Sequence, residues 1–568
     1  MNLTKTKKEI SIYSLCRNNR DKKNLFNLYK KFGLPKITIL TKLDMFQFIN
    51  KIIKTCDTDY ALLFHDDVFP PFNILKNAKE CISKANGEFG NDNWAILGNA
   101  GNEFITEDPI RFISDPHDKT IPPYSRSPIP VISIDGNTLL LNIKNLKKCN
   151  VSLPKYLSGF HFYDYILLLE SYKKGLISAV DSSLYVVHKS GGNKDKYFQA
   201  TDFEIFQNYF QRNFINHTFV TLNGLVKIKS VDMNYLSNNI VDKRSDVYQI
   251  FERVILDLYN KKYKKEINLI IRTQLNRNKF LFRLLDTVSI SKNYYSNCKI
   301  NVYLSVSTDK KNEKILNKIT NEYRNLELKT IISNSTNNQK SRVYLLANPL
   351  NEIKNKDSFV WYIDDDDFLY PQFFKYANYC LNNESLVVGI CDYFKEKWNQ
   401  NESFPIESKH IDRLYGGRFY LCFQGNNLIP NSCVIFPYKS LKFVFDNYEL
   451  LGNFNEDFAI FLLAQKNLNI KYFPILFTGI SYHGNNTVIN PNLDDWSFDY
   501  STFMSEIINN GKIINSILYN LSKNNNHNVN RIYNELNDLK KQFSKITNSK
   551  TFKIWQAYCK VRKSILGK

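Results

Sequence analysis

The sequence predicts an α/β protein built as two similar halves in tandem and closed by a helical tail. Three observations predict it. "EISIYSLCRNNR" (Glu9 to Arg20) and "EINLIIRTQLNR" (Glu266 to Arg277) are each a short apolar strand ending in polar and basic residues. Each is followed by a helical pattern, a further strand ("KITIL", "INVYLSV") and another helix, and then by a strand that ends in carboxylates, "DYALLFHDDVFPP" and "SFVWYIDDDDFLYP". Strands alternating with helices make parallel units, and such sheets place their ligands at the carboxyl ends of the strands, where both acidic clusters fall.

The elements divide the chain into four stretches. Residues 1–225 form the first half. "VDKRSDVYQIFERVILDLYNKKYKK" (Val241 to Lys265) is charged and helical in pattern, so 226–265 reads as a helical linker, and 266–500 form the second half. From 501 to 568 the texture becomes Asn- and Lys-rich, with "NLSKNNNHNVN" as a break, and this tail reads as a separate helical module.

Composition narrows the classes. A chain of 568 residues is too long for one hydrophobic core, and 43% hydrophobic with 14% aromatic content suffices for two or three. Ten cysteines are scattered singly, with no CxxC pair and no His/Cys cluster at zinc-ligand spacing, which predicts a reduced cytosolic protein without disulfides. "MNLTKTKKEISIYSLC" lacks an apolar signal region, and no uninterrupted apolar stretch reaches about 18 residues, so the expectation is a chain neither secreted by that route nor membrane-spanning. Lys and Arg number 76 against 55 Asp and Glu, a formal charge of +21 that favours anionic partners.

Chemistry concentrates at the strand ends. Four adjacent carboxylates, Asp364 to Asp367 in "FVWYIDDDDFLYP", repel one another and lose hydration beside a buried strand, which is costly without a cation. Adjacent strand-end aspartates followed by an apolar residue and a proline supply hard oxygen ligands for Mg²⁺ or Mn²⁺, a cation suited to bridging a diphosphate.

With these motifs in order, both halves resemble GT-A fold glycosyltransferases of the large inverting family called family 2, whose fold is a Rossmann-like nucleotide-diphospho-sugar transferase domain. The resemblance covers most of residues 9–225 and 266–495. In the second half "YIDDDDFLYP" matches the metal motif, which implies Asp364 and Asp366 as metal ligands with Asp365 beside them at the donor. "FNEDFAIFLLAQ" matches the later Glu-Asp motif at the head of a helix, which implies Asp457 as base and Glu456 as its companion. The first half resembles a divergent branch with a His-x-Asp-Val metal motif and a Phe-x-x-Tyr-Asp motif: "FHDDVFPP" gives His65 and Asp67, with Asp66 at the donor, and "GFHFYDYILLLESYKKG" gives Asp164. "ISIDGNTLLLNI" matches that branch's Asp-Gly strand, and "YVVHKSGG" places His188 where such enzymes carry a histidine near the metal. His483 in "ISYHGNN" parallels it, Arg342 in "QKSRVYLLANPL" sits where relatives carry an Arg near the diphosphate, and Gln424 to Asn427 lie where an acceptor-facing strand is expected. Trp496 is either a stacking platform or core.

The resemblance implies a metal-dependent transferase that uses Mn²⁺ or Mg²⁺, takes nucleotide-sugar donors and builds a surface polysaccharide or lipid-linked oligosaccharide by two successive transfers. The first half lacks a Glu before Asp164, so one active half beside a degenerate substrate-binding copy is the alternative. A nucleotidyltransferase would carry a Gly-rich loop after the first strand, and "SLCRNNR" and "IRTQLNR" contain no glycine. Nucleic acid is not an expected partner, since paired acidic strand ends repel phosphates. In the tail from Lys540 to Lys568, Ile554, Tyr558, Val561 and Ile565 recur at helical spacing with Trp555 alongside, flanked by Lys553, Lys560, Arg562 and Lys563 and by no acidic residue. Such a helix suits an anionic cytoplasmic leaflet, which predicts a cytoplasmic protein held peripherally on the inner face of the membrane; the same stripe also suits a protein interface.

Overall fold

The computed structural model describes residues 10–189 apart from 17–18, 35, 116–124 and 126; residues 206, 209–210, 217–221 and 224–228; residues 246–397 apart from 295–296, 308–312, 333–337 and 383–385; and residues 405, 407–411, 431–446 and 469–482. The chain separates into two compact units, 1–262 and 263–568.

The first unit begins β1 (Ile10–Cys16), a helix Asn19–Lys31, β2 (Thr38–Thr41), a helix Met45–Thr55 and β3 (Tyr60–Phe64). The helix Met45–Thr55 shows why these segments fold as they do. Asp44 accepts from the Gln47 amide while the Gln47 side chain reaches back, a capping box that satisfies two end donors, and the helix buries Met45, Phe46, Phe48, Ile49, Ile52 and Ile53. Five successive residues of β3 are buried, as expected of a strand covered on both faces. Then follow β4 (Val68–Phe69), β5 (Trp94–Gly98), β6 (Ala100–Glu103), β7 (Pro109–Arg111), β8 (Ile113–Ser114), β9 (Ile129–Ile134), β10 (Thr138–Asn142), a helix Tyr163–Lys173, β11 (Ile177–Val180) and β12 (Val186–His188). The main sheet runs β2-β1-β3-β10-β5-β11-β9-β6-β7, and β4-β12-β8 form a small second sheet. β13 (His217–Thr221) and β14 (Gly224–Ile228) form a separate hairpin, with β13 lying near β9 and β6.

The second unit repeats the opening. β15 (Glu266–Thr273), β16 (Lys299–Val306), β17 (Lys329–Ile332), β18 (Phe359–Asp364), β19 (Phe368–Leu369), β20 (Leu386–Lys397), β21 (Glu407–Ile411), β22 (Val434–Pro437) and β23 (Asn469–Tyr482) form one sheet ordered β17-β16-β15-β18-β22-β20-β23-β19, with β21 on β20. β2-β1-β3-β10-β5 and β16-β15-β18-β22-β20 are the same arrangement in two copies: a second strand, the first, the carboxylate-bearing strand, a late strand, and an intermediate one.

The sheets differ from the expectation in being mixed. β1 pairs parallel with β2 and β3, and β15 with β16 and β18, but β10 runs antiparallel to β3 and β22 antiparallel to β18. The segment read as a linker contains a helix, Asp246–Lys262, with Val247, Tyr248, Phe251, Ile255 and Tyr259 buried. Its Tyr248 hydroxyl donates to the Phe104 carbonyl at 3.0 Å, so it packs within the first unit. Among the described residues seven cysteines are free, and no helix is long and apolar enough to cross a membrane.

Candidate active site

His65, Asp66 and Asp67 form the turn that leaves β3 at its carboxyl end, and the turn is pinned by its backbone. The His65 amide donates to Asn137 O at 3.0 Å, while its carbonyl accepts from the Tyr29 hydroxyl at 2.8 Å and from the Val68 amide at 3.3 Å. β12 lies antiparallel on β4 with His188 opposite Val68, and the Lys189 amide donates to Asp67 O at 3.0 Å. The small sheet therefore delivers His188 to Asp67, with its Nε2 3.2 Å from Asp67 Oδ1.

His65, Asp67 and His188 each offer a ligand atom, and the three atoms all lie within 4.8 Å of one another; among the described residues no other group of three His, Cys, Asp or Glu does so. Ligands around one transition-metal or Mg²⁺ ion stand about 3–4 Å apart, so the set could hold a cation after a small closing movement of its side chains. Two imidazoles and one carboxylate suit a first-row transition-metal ion better than Ca²⁺. Burial holds the His65 ring neutral, below the ordinary histidine value, against the opposing charges of Asp135 and Asp67. Burial also lowers His188, but its hydrogen bond to Asp67 and the charges of Asp67, Asp135 and Asp115 outweigh burial and raise it.

Behind this set stands the Asp-Gly corner between β9 and β10. Tyr163 Oη is 2.7 Å from His65 Nε2 and donates to the Gly136 carbonyl at 3.0 Å, so it orients the imidazole ring. Gly136 is required by this approach, because a Cβ there would lie 1.9 Å from the Tyr163 hydroxyl oxygen. Asp164 opens the helix Tyr163–Lys173, where its Oδ2 accepts from the Gly136 amide and its Oδ1 from the Tyr165 amide, both at 2.8 Å. Burial, reinforced by the charge of Asp135, pushes the Asp164 carboxyl up to about 7, against those two backbone donors. A carboxyl poised near neutrality suits a general base. The preceding residue, Phe162, is left-handed at φ 63° and buried, its ring stacked on Phe206 at 4.2 Å. Such backbone strain in a bulky residue persists only where packing enforces it, and it clusters at functional sites.

The second unit treats its acidic turn differently. Arg272, at the register position beside Asp364 on the parallel ladder, meets Asp364 with both Nε and NH2. Asp365 accepts from Thr273 Oγ1 at 2.5 Å and from Arg277 at 3.3 Å, and Asp366 accepts from Arg277 at 2.6 Å. Asp367 is held by the Ser432 hydroxyl and, at 3.4 Å, the Ser481 amide. Burial and the neighbouring Asp366 charge push Asp365 up to about 7, and the same causes raise Asp367. The Phe368 ring that closes the turn is covered by the Arg283 guanidinium at 4.2 Å, and Gly479 leaves room for it.

Thus the structure brings together His65, Asp67 and His188, with Asp164 held on the Gly136 peptide that also accepts from Tyr163, and gathers Asp364, Asp365 and Asp366 around two arginines. Asp66 shares the first turn and is half-buried. Arg342 lies on the helix Asn338–Glu352, but its side chain is outside the described residues, as are Glu456, Asp457, His483, Trp496, Gln424 to Asn427 and the tail. Sequence reasoning missed Tyr163, Asp115, Arg272 and Arg277 as site residues, and marked Asp135 only through the Asp-Gly motif. The "RTQLNR" stretch was a visible signal for the two arginines; Asp115 follows a two-residue strand that no periodicity reveals.

No protein-family model matches the chain, and no curated protein matches it. Among solved structures, S. aureus TarS 1-349 in complex with UDP-GlcNAc is 18% identical at a TM-score of 0.30, over 46% of this chain and 72% of that one. S. aureus TarS is 18% identical at a TM-score of 0.29, and the match spans 43% of its length. The mannosyltransferase PcManGT from Pyrobaculum calidifontis in complex with GDP-Man and Mn²⁺ is 10% identical at a TM-score of 0.30, over 54% of this chain and 92% of that one. At these values the likenesses are too remote to carry a function across.

Proposed function

We propose that the chain is a nucleotide-sugar glycosyltransferase with two GT-A units, and that the first unit is metal-dependent. The observation that supports this best is the meeting of His65, Asp67 and His188 within 4.8 Å at the end of β3, with Asp164 one residue from the tyrosine that orients His65. His65, Asp67 and His188 would hold Mn²⁺ or Mg²⁺, which when bound neutralises charge developing on a departing nucleoside diphosphate. Asp164, unprotonated, accepts the proton of an attacking sugar hydroxyl. A single displacement of this kind inverts the anomeric centre. In the second unit Asp457, with Glu456, is the proposed base by sequence resemblance, and different site chemistry in the two units supports two successive transfers onto a glycan or lipid-linked acceptor. The basic tail is proposed to hold the enzyme peripherally on an anionic membrane, and a chain ending near Asn530 should then no longer pellet with anionic liposomes.

Thermal-shift screening against UDP, GDP, CMP and their sugar conjugates, with and without Mn²⁺, tests the function. One nucleotide should raise Tm, and it should do so more with Mn²⁺; His188→Ala should remove the Mn²⁺-dependent part. No response to any nucleotide overturns the reading.

A further inference from the structure

The four carboxylates that motivated a cation in the second unit already have fixed donors. Asp364 is gripped by Arg272, whose side chain is 8% exposed, in the two-pronged geometry that a guanidinium offers a carboxylate. Arg277, five residues on and just ahead of the helix Asn278–Tyr294, bridges Asp365 and Asp366. The segment between is fixed: Leu275 is buried and left-handed at φ 57°, and its amide donates to Thr273 Oγ1, the group that also holds Asp365. A divalent cation needs several oxygens turned to one point, whereas here three of the four carboxylates face guanidinium protons, and a guanidinium offers no lone pair and carries like charge. As arranged, the set does not fit a cation.

We propose that Arg272 and Arg277 are the counter-cations of this second acidic cluster, so that it takes no divalent ion while Arg277 is seated, and the described residues hold one ion, in the first unit. The count of one rests on the proposed reading of the first unit; the assignment of Arg277 does not. Arg277 is the displaceable partner, since its side chain is 30% exposed. Removing it frees Asp365 and Asp366 from their bridge and opens a site that the intact chain keeps closed.

Mn²⁺ titration of the full chain without nucleotide, read by calorimetry and by electron paramagnetic resonance of free Mn²⁺, tests this. The wild type should bind one ion, His188→Ala none, and Asp366→Asn still one. Arg277→Gln should gain one ion, Arg277→Lys should not, and the gained ion should vanish in the Arg277→Gln/Asp366→Asn double variant. A second ion on the wild type that Asp366→Asn removes overturns the proposal, as does Arg277→Gln that melts like the wild type and gains nothing. A wild type that binds no ion while Arg277→Gln gains one overturns the first-unit reading and supports the role of Arg277.

Discussion

Asp164 carries opposed influences on one carboxyl group: two backbone amides favour its charge, while burial and Asp135 oppose it and prevail. Because its folded value lies near 7 against an ordinary 3.8, the folded protein keeps a proton that the unfolded chain gives up. Stability is therefore lost as pH rises from about 4 to about 7, by up to roughly 1.4 kcal/mol per unit. Asp164→Asn should flatten that slope in melting curves taken across the window, while first-unit transfer falls by about 10²–10⁴-fold. Wild-type transfer should rise with pH through about 7, as the base loses its proton. At this scale the sequence was legible where a residue type announces what it will gather with, as for His65, Asp67 and His188. It was opaque where a plain residue works through geometry: nothing in "FHFYDY" says that the Tyr163 hydroxyl sits on His65.

Among the elements, the corner between β9 and β10 does the most for the site. Asn137 returns its amide and side chain to Asp135 at 2.9 Å, closing the turn, and Gly136 lets Tyr163 pass. Gly136→Ala should cost about 1–3 kcal/mol by overpacking and, by pushing the hydroxyl off His65, weaken Mn²⁺ binding about 10–100-fold. Tyr163→Phe should reproduce the loss of Mn²⁺ affinity without the overpacking cost. An equal loss of stability in both variants would show that the hydroxyl, not the crowding, dominates. The parallel strands β1, β3, β15 and β18 could be read from apolar runs bounded by turns. The direction of β10 and β22 could not, because "TLLLN" and "VIFP" are buried runs whose pattern is the same either way.

For the whole molecule, one sheet order appears twice while the two acidic strand ends have different partners, histidine in one and arginine in the other. If the units perform separate steps, Asp67→Ala and Asp366→Ala should stall product at different lengths, seen by mass spectrometry of the glycan. Identical stalled products would argue for a single chemistry. The repeated strand order was legible from "EISIYSLCRNNR" and "EINLIIRTQLNR", since each is an apolar strand with a basic end at the same place in its sheet.

The late strand in each sheet also sets a timetable for synthesis. β3 and β5 are made by residue 98, yet the edges they turn toward each other stay open until residues 138–142 arrive between them, and the facing edges of β18 and β20 likewise wait for 434–437. Through that interval a nascent chain carries open strand edges with unpaired amides and carbonyls, the surfaces most prone to join another chain. The amide of His65 waits too, because its acceptor is Asn137. Each acidic turn thus takes its final shape only once the ribosome has delivered the strand that closes the sheet, and protease resistance of stalled nascent chains should appear as that strand emerges.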